Sequence, residues 1–210
     1  MTTDIPTVIT NERRRVADWL DELPDETWSA PSLCERWSVQ DTVGHMTFPW
    51  RVSTPRLLAQ MVRHRGFEEA SAVAASGLGE IGPEALVAQI RANVDNPKRP
   101  PGTKPEDLVA EVVLHPLDIA IPNGLTWEPD PAGLVPLLDH VTQSKNGAHY
   151  HPPGGLDGVR FVATDADWSY GAGQEARGTA VDVLLTVAGR RVPGRLDGPG
   201  AEILAARRDA

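Results

Sequence analysis

The segment that runs from Lys104 or Pro105 to the break at Pro122-Asn123-Gly124 constrains the fold more than any other part of the chain. A helix turns once in about 3.6 residues, so side chains four apart stand on one face. In Glu111-Val112-Val113-Leu114-His115 that rule sets a carboxylate beside an imidazole, while Val112, Val113 and Leu117 lie off the stripe and can face a core. A helix with one apolar side and one polar seam belongs in a helical bundle. Pro116 follows His115 at once, and a proline costs about 3 kcal/mol in an unsupported helix interior, so the helix either kinks or ends there. Glu111 and His115 precede the break in both cases. Asp118 keeps its place on their stripe only if the helix continues.

A third donor comes from earlier in the chain. Ser38-Val39-Gln40-Asp41 has the spacing of a capping box, with Asp41 in the place usually held by Glu. The helix it opens places His45 about two turns in, and Pro49 ends or bends it. Two His and one Glu, with a fourth position left for water or substrate, is a pattern used by catalytic zinc. Spacing alone also fits an ordinary i,i+4 polar pair on a helix surface, and both readings stand at this point. Asp118 is equally open between accepting a hydrogen bond from a ligand imidazole and pairing at the surface.

The remaining helices follow from apolar spacing. Thr10 is the expected N-cap of a helix carrying Val16, Trp19, Leu20 and Leu23, which Pro24 stops. A third helical pattern covers residues 55–75. Pro83 opens a further helix with Leu86, Val87, Ile90 and Val94 inward, and Pro131 to Thr142 forms a short one on Leu134, Leu137 and Leu138. Beyond Gln143 the Pro- and Gly-rich stretch 146–155 reads as a linker. Val159–Ala163 and Trp168-Ser169-Tyr170 then read as strands, residues 178–189 as a helix between Thr179 and Gly189, and Ala201–Arg207 as a last short helix. The expected domains are therefore residues 1–143, helical, and 144–210, small and mixed α/β.

Net charge is −9, with 12 Lys and Arg against 21 Asp and Glu in residues 1–143 and 8 against 8 in residues 144–210. That acidity argues against a nucleic-acid partner for the first part, since phosphates would be repelled. Arg13-Arg14-Arg15, flanked by Glu12 and Asp18, reads as a solvated helix face. No apolar run approaches the roughly 20 residues of a membrane span, and residues 1–11 lack the pattern of a secretory signal, so a cytoplasmic protein without membrane partners is expected. The single cysteine, Cys34, agrees with a reducing compartment. It reads as a small packing group rather than a ligand or nucleophile. His149 and His151 read as exposed linker residues, His140 as a surface residue, and Trp28, Trp37, Trp50 and Trp127 as core by default, with the lining of a ligand cavity as the alternative.

Several of these pieces together resemble the mycothiol-dependent maleylpyruvate isomerase-like family. They are Pro31-Ser32-Leu33-Cys34, Trp37-Ser38-Val39 leading to Gly44-His45, Glu111 to Asp118, Ala163-Thr164-Asp165 with Trp168-Ser169, and Leu184-Leu185 with Gly189-Arg190. The resemblance implies an α+β fold: an N-terminal DinB-like up-down four-helix bundle followed by a small α/β C-terminal domain. It further implies a divalent metal, usually zinc, on His45, Glu111 and His115, the thiol of mycothiol as cofactor, and a C-terminal arginine that assists thiol binding, for which Arg190 is the nearest candidate. A thiol S-transferase or isomerase acting on a small electrophile is the function so implied. The competing reading is a non-catalytic DinB-like protein that binds a metal or small ligand.

Overall fold

The computed structural model describes residues 4–53, 55, 59, 62–64, 70, 77–145, 147–192 and 194–208. The chain divides into two compact units, Met1–Asp130 and Pro131–Ala210. The division falls one helix earlier than the expected 143/144 boundary.

The first unit is helical. Its elements are α1 (Ile5–Asp21), α2 (Val39–Met46), α3 (Phe48–Arg51), α4 (Pro83–Ala92) and α5 (Pro105–Ala120). α1 and α2 each pack against both α4 and α5, which makes a four-helix arrangement. Its core gathers Val16, Leu20, Val39, Val43, Leu86, Ile90 and Ile119, all almost wholly buried. α1 begins well before the expected Thr10, after Asp4, because Pro6 suits a first turn and Val8 and Ile9 extend the buried stripe toward the N-terminus. The pattern expected over 55–75 lies mostly outside the described residues. α2 ends at Met46, and Pro49 falls in the first turn of the separate α3. α5 runs through Pro116 to Ala120 without ending there. Proline removes one ladder donor, but this helix is buried along most of its length, and packing outweighs that local cost.

In the second unit α6 (Pro131–Gln143) packs on α7 (Ala180–Val187), and Trp168 Nε1 donates to Asp139 Oδ1 of α6 at 2.9 Å. Those contacts explain why residues 131–143 belong to this unit. A three-stranded sheet has the order β2 (Ser169–Gly171), β1 (Val159–Ala163), β3 (Gln174–Gly178). β1 runs antiparallel to β2, with Phe161 opposite Tyr170, and parallel to β3, with Phe161 opposite Ala176. Val159, Phe161 and Ala163 are buried, and α7 and α8 (Pro199–Arg208) both pack on β1 and β3. Thr179 Oγ1 caps α7 by accepting from Asp182 N at 3.1 Å, and Gly189 follows that helix at φ 74°, a left-handed position suited to glycine. Among the described residues no helix is long and apolar enough to cross a membrane.

Candidate metal centre

Ser38 and Asp41 close the expected capping box, with Ser38 Oγ accepting from Asp41 N at 3.1 Å and Ser38 N donating to Asp41 Oδ2 at 3.1 Å. That cap fixes the start of α2 and hence the position of His45, which packs toward α5. On α5 the four-residue spacing puts Glu111 and His115 on one face. Glu111 Oε2 stands 3.2 Å from His115 Nε2 and 3.4 Å from His45 Nε2. The two imidazoles lie edge to face, with ring centroids 5.1 Å apart at 86°. One donor atom from each of the three residues falls within 4.8 Å of the others. Donors held about 2.0–2.2 Å from a shared ion stand roughly 3–3.6 Å apart, so the Glu–His distances suit a single dication.

The carboxylate is the member of the set that most needs a cation. Glu111 Oε2 is buried and accepts no hydrogen bond, although two imidazole nitrogens are within 3.4 Å. Two imidazoles and one carboxylate converging in this way are a donor set that a borderline cation such as zinc takes. Without a metal the same groups form a charged cluster. Burial would raise the Glu111 pKa, but the charges of His45 and His115 outweigh it and hold the carboxyl well below its usual range. Burial would lower that of His115, yet the Glu111 charge and the contacts with Asp118 and Cys34 hold it well above the ordinary imidazole value.

Asp118 is fully buried, and its Oδ2 stands 3.1 Å from His115 Nδ1. An ionised carboxylate only accepts, so Nδ1 keeps its proton toward Asp118 and Nε2, beside Glu111, is the nitrogen left to a metal ion. Because α5 continues past Pro116, Asp118 stays on the stripe with His115. Trp37 lies against both imidazoles, with centroids 4.7 Å from His45 and 6.2 Å from His115, so this tryptophan lines the site. Trp28 is core, and Trp50 and Trp127 pack at its edge.

Four readings from the sequence are corrected, those of Cys34, Arg13, His140 and His151. Cys34 is half-buried and makes polar contacts: its Sγ donates to Asp118 Oδ2 at 3.2 Å and lies 3.7 Å from His115 Nδ1. Arg13 is not on a solvated face. It is almost fully buried, and Nη1 donates to the carbonyls of Asn93 at 3.1 Å, Val94 at 3.3 Å and Asn96 at 2.7 Å. Burial pushes its pKa down to about 10, against the opposing charges of Glu111 and Asp95. Its place on the stripe of Ile9, Val16 and Leu20 was the available signal. His140 is buried rather than exposed, with Nδ1 3.2 Å from Ser144 Oγ. His149 is exposed, whereas His151 is half-buried, with Nε2 2.8 Å from the Val141 carbonyl. Arg190 belongs to the second unit, just beyond Gly189, where its Nη1 donates to the Ala188 carbonyl at 2.8 Å. A cavity of about 10 Å³ borders Glu111 and is lined by Arg13, Met46, Trp50 and Leu108. It accepts nothing larger than a water.

A helical unit whose α2 and α5 bring two imidazoles and a carboxylate together defines the class, a four-helix bundle with a candidate metal centre. More particularly, the chain belongs to the mycothiol maleylpyruvate isomerase N-terminal domain family, whose model matches residues 9–120. Two solved structures, the mycothiol-dependent maleylpyruvate isomerase and a mutant of it, are each similar over 96% of this chain and 97% of theirs, at 15% identity and a TM-score of 0.65. That likeness extends the shared fold to the α/β unit. No curated protein matches the chain.

Proposed function

We propose that this protein is a zinc-dependent enzyme that uses a low-molecular-weight thiol such as mycothiol, either as a thiol S-transferase or as a maleylpyruvate isomerase-like enzyme. The observation that carries the reading is the convergence of His45, Glu111 and His115 on one point in a chain of this family. In it, His45 and His115 supply neutral nitrogen donors and Glu111 a single negative charge. Asp118 holds the Nδ1 proton of His115, and Trp37 covers the two rings. A divalent cation on these groups supplies Lewis acidity, lowering the pKa of a thiol brought to its free position.

In the isomerase version the thiolate adds to a conjugated double bond whose electron pair moves onto the conjugated carbonyl, the carbon–carbon bond rotates as a single bond, and return of that pair expels the thiolate and restores the alkene. In the transferase version a carbon–sulfur bond forms while the leaving group departs with the electron pair. Arg190 is assigned to a carboxylate of the thiol or substrate, a group its guanidinium fork suits. A reducing, cytoplasmic setting fits a thiol cofactor and the lone Cys34.

Zinc-loaded protein is incubated with mycothiol and a panel of electrophiles that includes maleylpyruvate. Loss of free thiol, conjugate mass and alkene isomerisation are then followed. Turnover that disappears in His45→Ala supports the proposal. Tight zinc binding with no turnover on any electrophile favours the non-catalytic reading.

A further inference from the structure

We infer that Cys34 is a positioning residue of the metal centre, its thiol fixing the Asp118 carboxylate that in turn orients His115. The inference rests on the metal reading of His45, Glu111 and His115. Asp118 is fully excluded from solvent, and a buried carboxylate is stable only where donors meet it. Its Oδ2 faces two of them, Cys34 Sγ at 3.2 Å and His115 Nδ1 at 3.1 Å. Cys34 is itself half-buried, and its thiol is placed to donate to that carboxylate.

The segment that carries Cys34 is tied to the same residue a second time, through Leu33 N donating to the Asp118 carbonyl at 2.9 Å. Within the segment, Trp37 N donates to the Cys34 carbonyl at 3.0 Å, and Trp37 lies against both imidazoles. One short stretch thus holds His115 from two sides, with the thiol behind Nδ1 by way of Asp118 and the indole over the ring. Without the thiol a donor on Oδ2 is lost and the carboxylate is held less firmly toward Nδ1, so Nε2 is less firmly set beside Glu111.

The full-length protein is stripped of metal. Zinc affinity is then measured by competition with a chromophoric chelator, and the visible spectrum of the cobalt(II) form is recorded for wild type, Cys34→Ala and Cys34→Ser. Cys34→Ala is expected to weaken zinc binding about tenfold, the low end for losing a partner behind a ligand, and to shift the cobalt bands. Cys34→Ser, whose hydroxyl also donates to Asp118, is expected to stay close to wild type in both. Should Cys34→Ala not fold, Cys34→Val, nearer in volume, carries the same expectation. Equal affinity in wild type and the Ala or Val variant overturns the inference, as does a serine variant no better than alanine. A sulfur-to-cobalt charge-transfer band in wild type also overturns it, because Cys34 would then be a ligand. If wild type itself binds no zinc, the metal reading beneath the inference fails first.

Discussion

Glu111 Oε2 stands 3.2 Å from His115 Nε2, one turn away on the same helix, and accepts no hydrogen bond from it. The two groups are close enough for strong attraction, and His45 of α2 approaches the same carboxylate oxygen at 3.4 Å. An isolated surface pair at i,i+4 has no reason to adopt that arrangement or to recruit a third residue.

The first prediction concerns protons. In metal-free protein His115 titrates above its ordinary value of 6.5, so the stability it contributes is full below about pH 6.5 and is lost as pH rises through the raised value. Glu111 titrates below its ordinary 4.5, so its contribution is present above that pH and is lost as pH falls through the lowered value. Urea unfolding with chelator present should show the advantage of wild type over His115→Gln largest between about pH 4.5 and 6.5 and shrinking toward pH 9. A difference that does not vary with pH would contradict this.

Asp118→Asn keeps the size of the side chain but removes its charge. Zinc affinity should fall by roughly 10–100-fold. An unchanged dissociation constant would mean that His115 needs no support from behind.

Arg13→Met tests the buried arginine. Three carbonyls at the end of α4 and just beyond it lose a donor, although that of Asn93 still accepts from Asn96 N, and the loss should cost roughly 2–4 kcal/mol in chemical unfolding. A solvated arginine would cost less than about 0.5 kcal/mol.

Ser38→Ala removes the cap of the helix that carries His45. It should lower stability by about 1 kcal/mol. Replacement by Asp should restore most of that, and failure of the rescue would show that the cap is not what holds α2.

How much of this was legible in the chain differs from element to element. The helix carrying Glu111 and His115, the capping box at Ser38 and the inward leucines of α6 follow from spacing, which is local and survives folding. β3 was missed because Gln174–Gly178 shows a polar sequence in which only Ala176 is buried, so no alternation marks it. Arg13 was misread because its neighbours in sequence, Arg14 and Arg15, are more exposed, and only the helical stripe sets it apart. Cys34 and Asp118 are 84 positions apart. Their meeting depends on how one loop lies against α5, which no local pattern encodes. The same holds for Trp37, whose contacts with His45 and His115 are tertiary.

The most direct measurement is the zinc stoichiometry and affinity of purified full-length protein beside His45→Ala, Glu111→Gln and His115→Ala. One zinc per chain is predicted for wild type, and each substitution should weaken binding by more than the roughly 10–100-fold expected for an outer partner. Equal binding by all four proteins, or no zinc bound by wild type, would contradict the account.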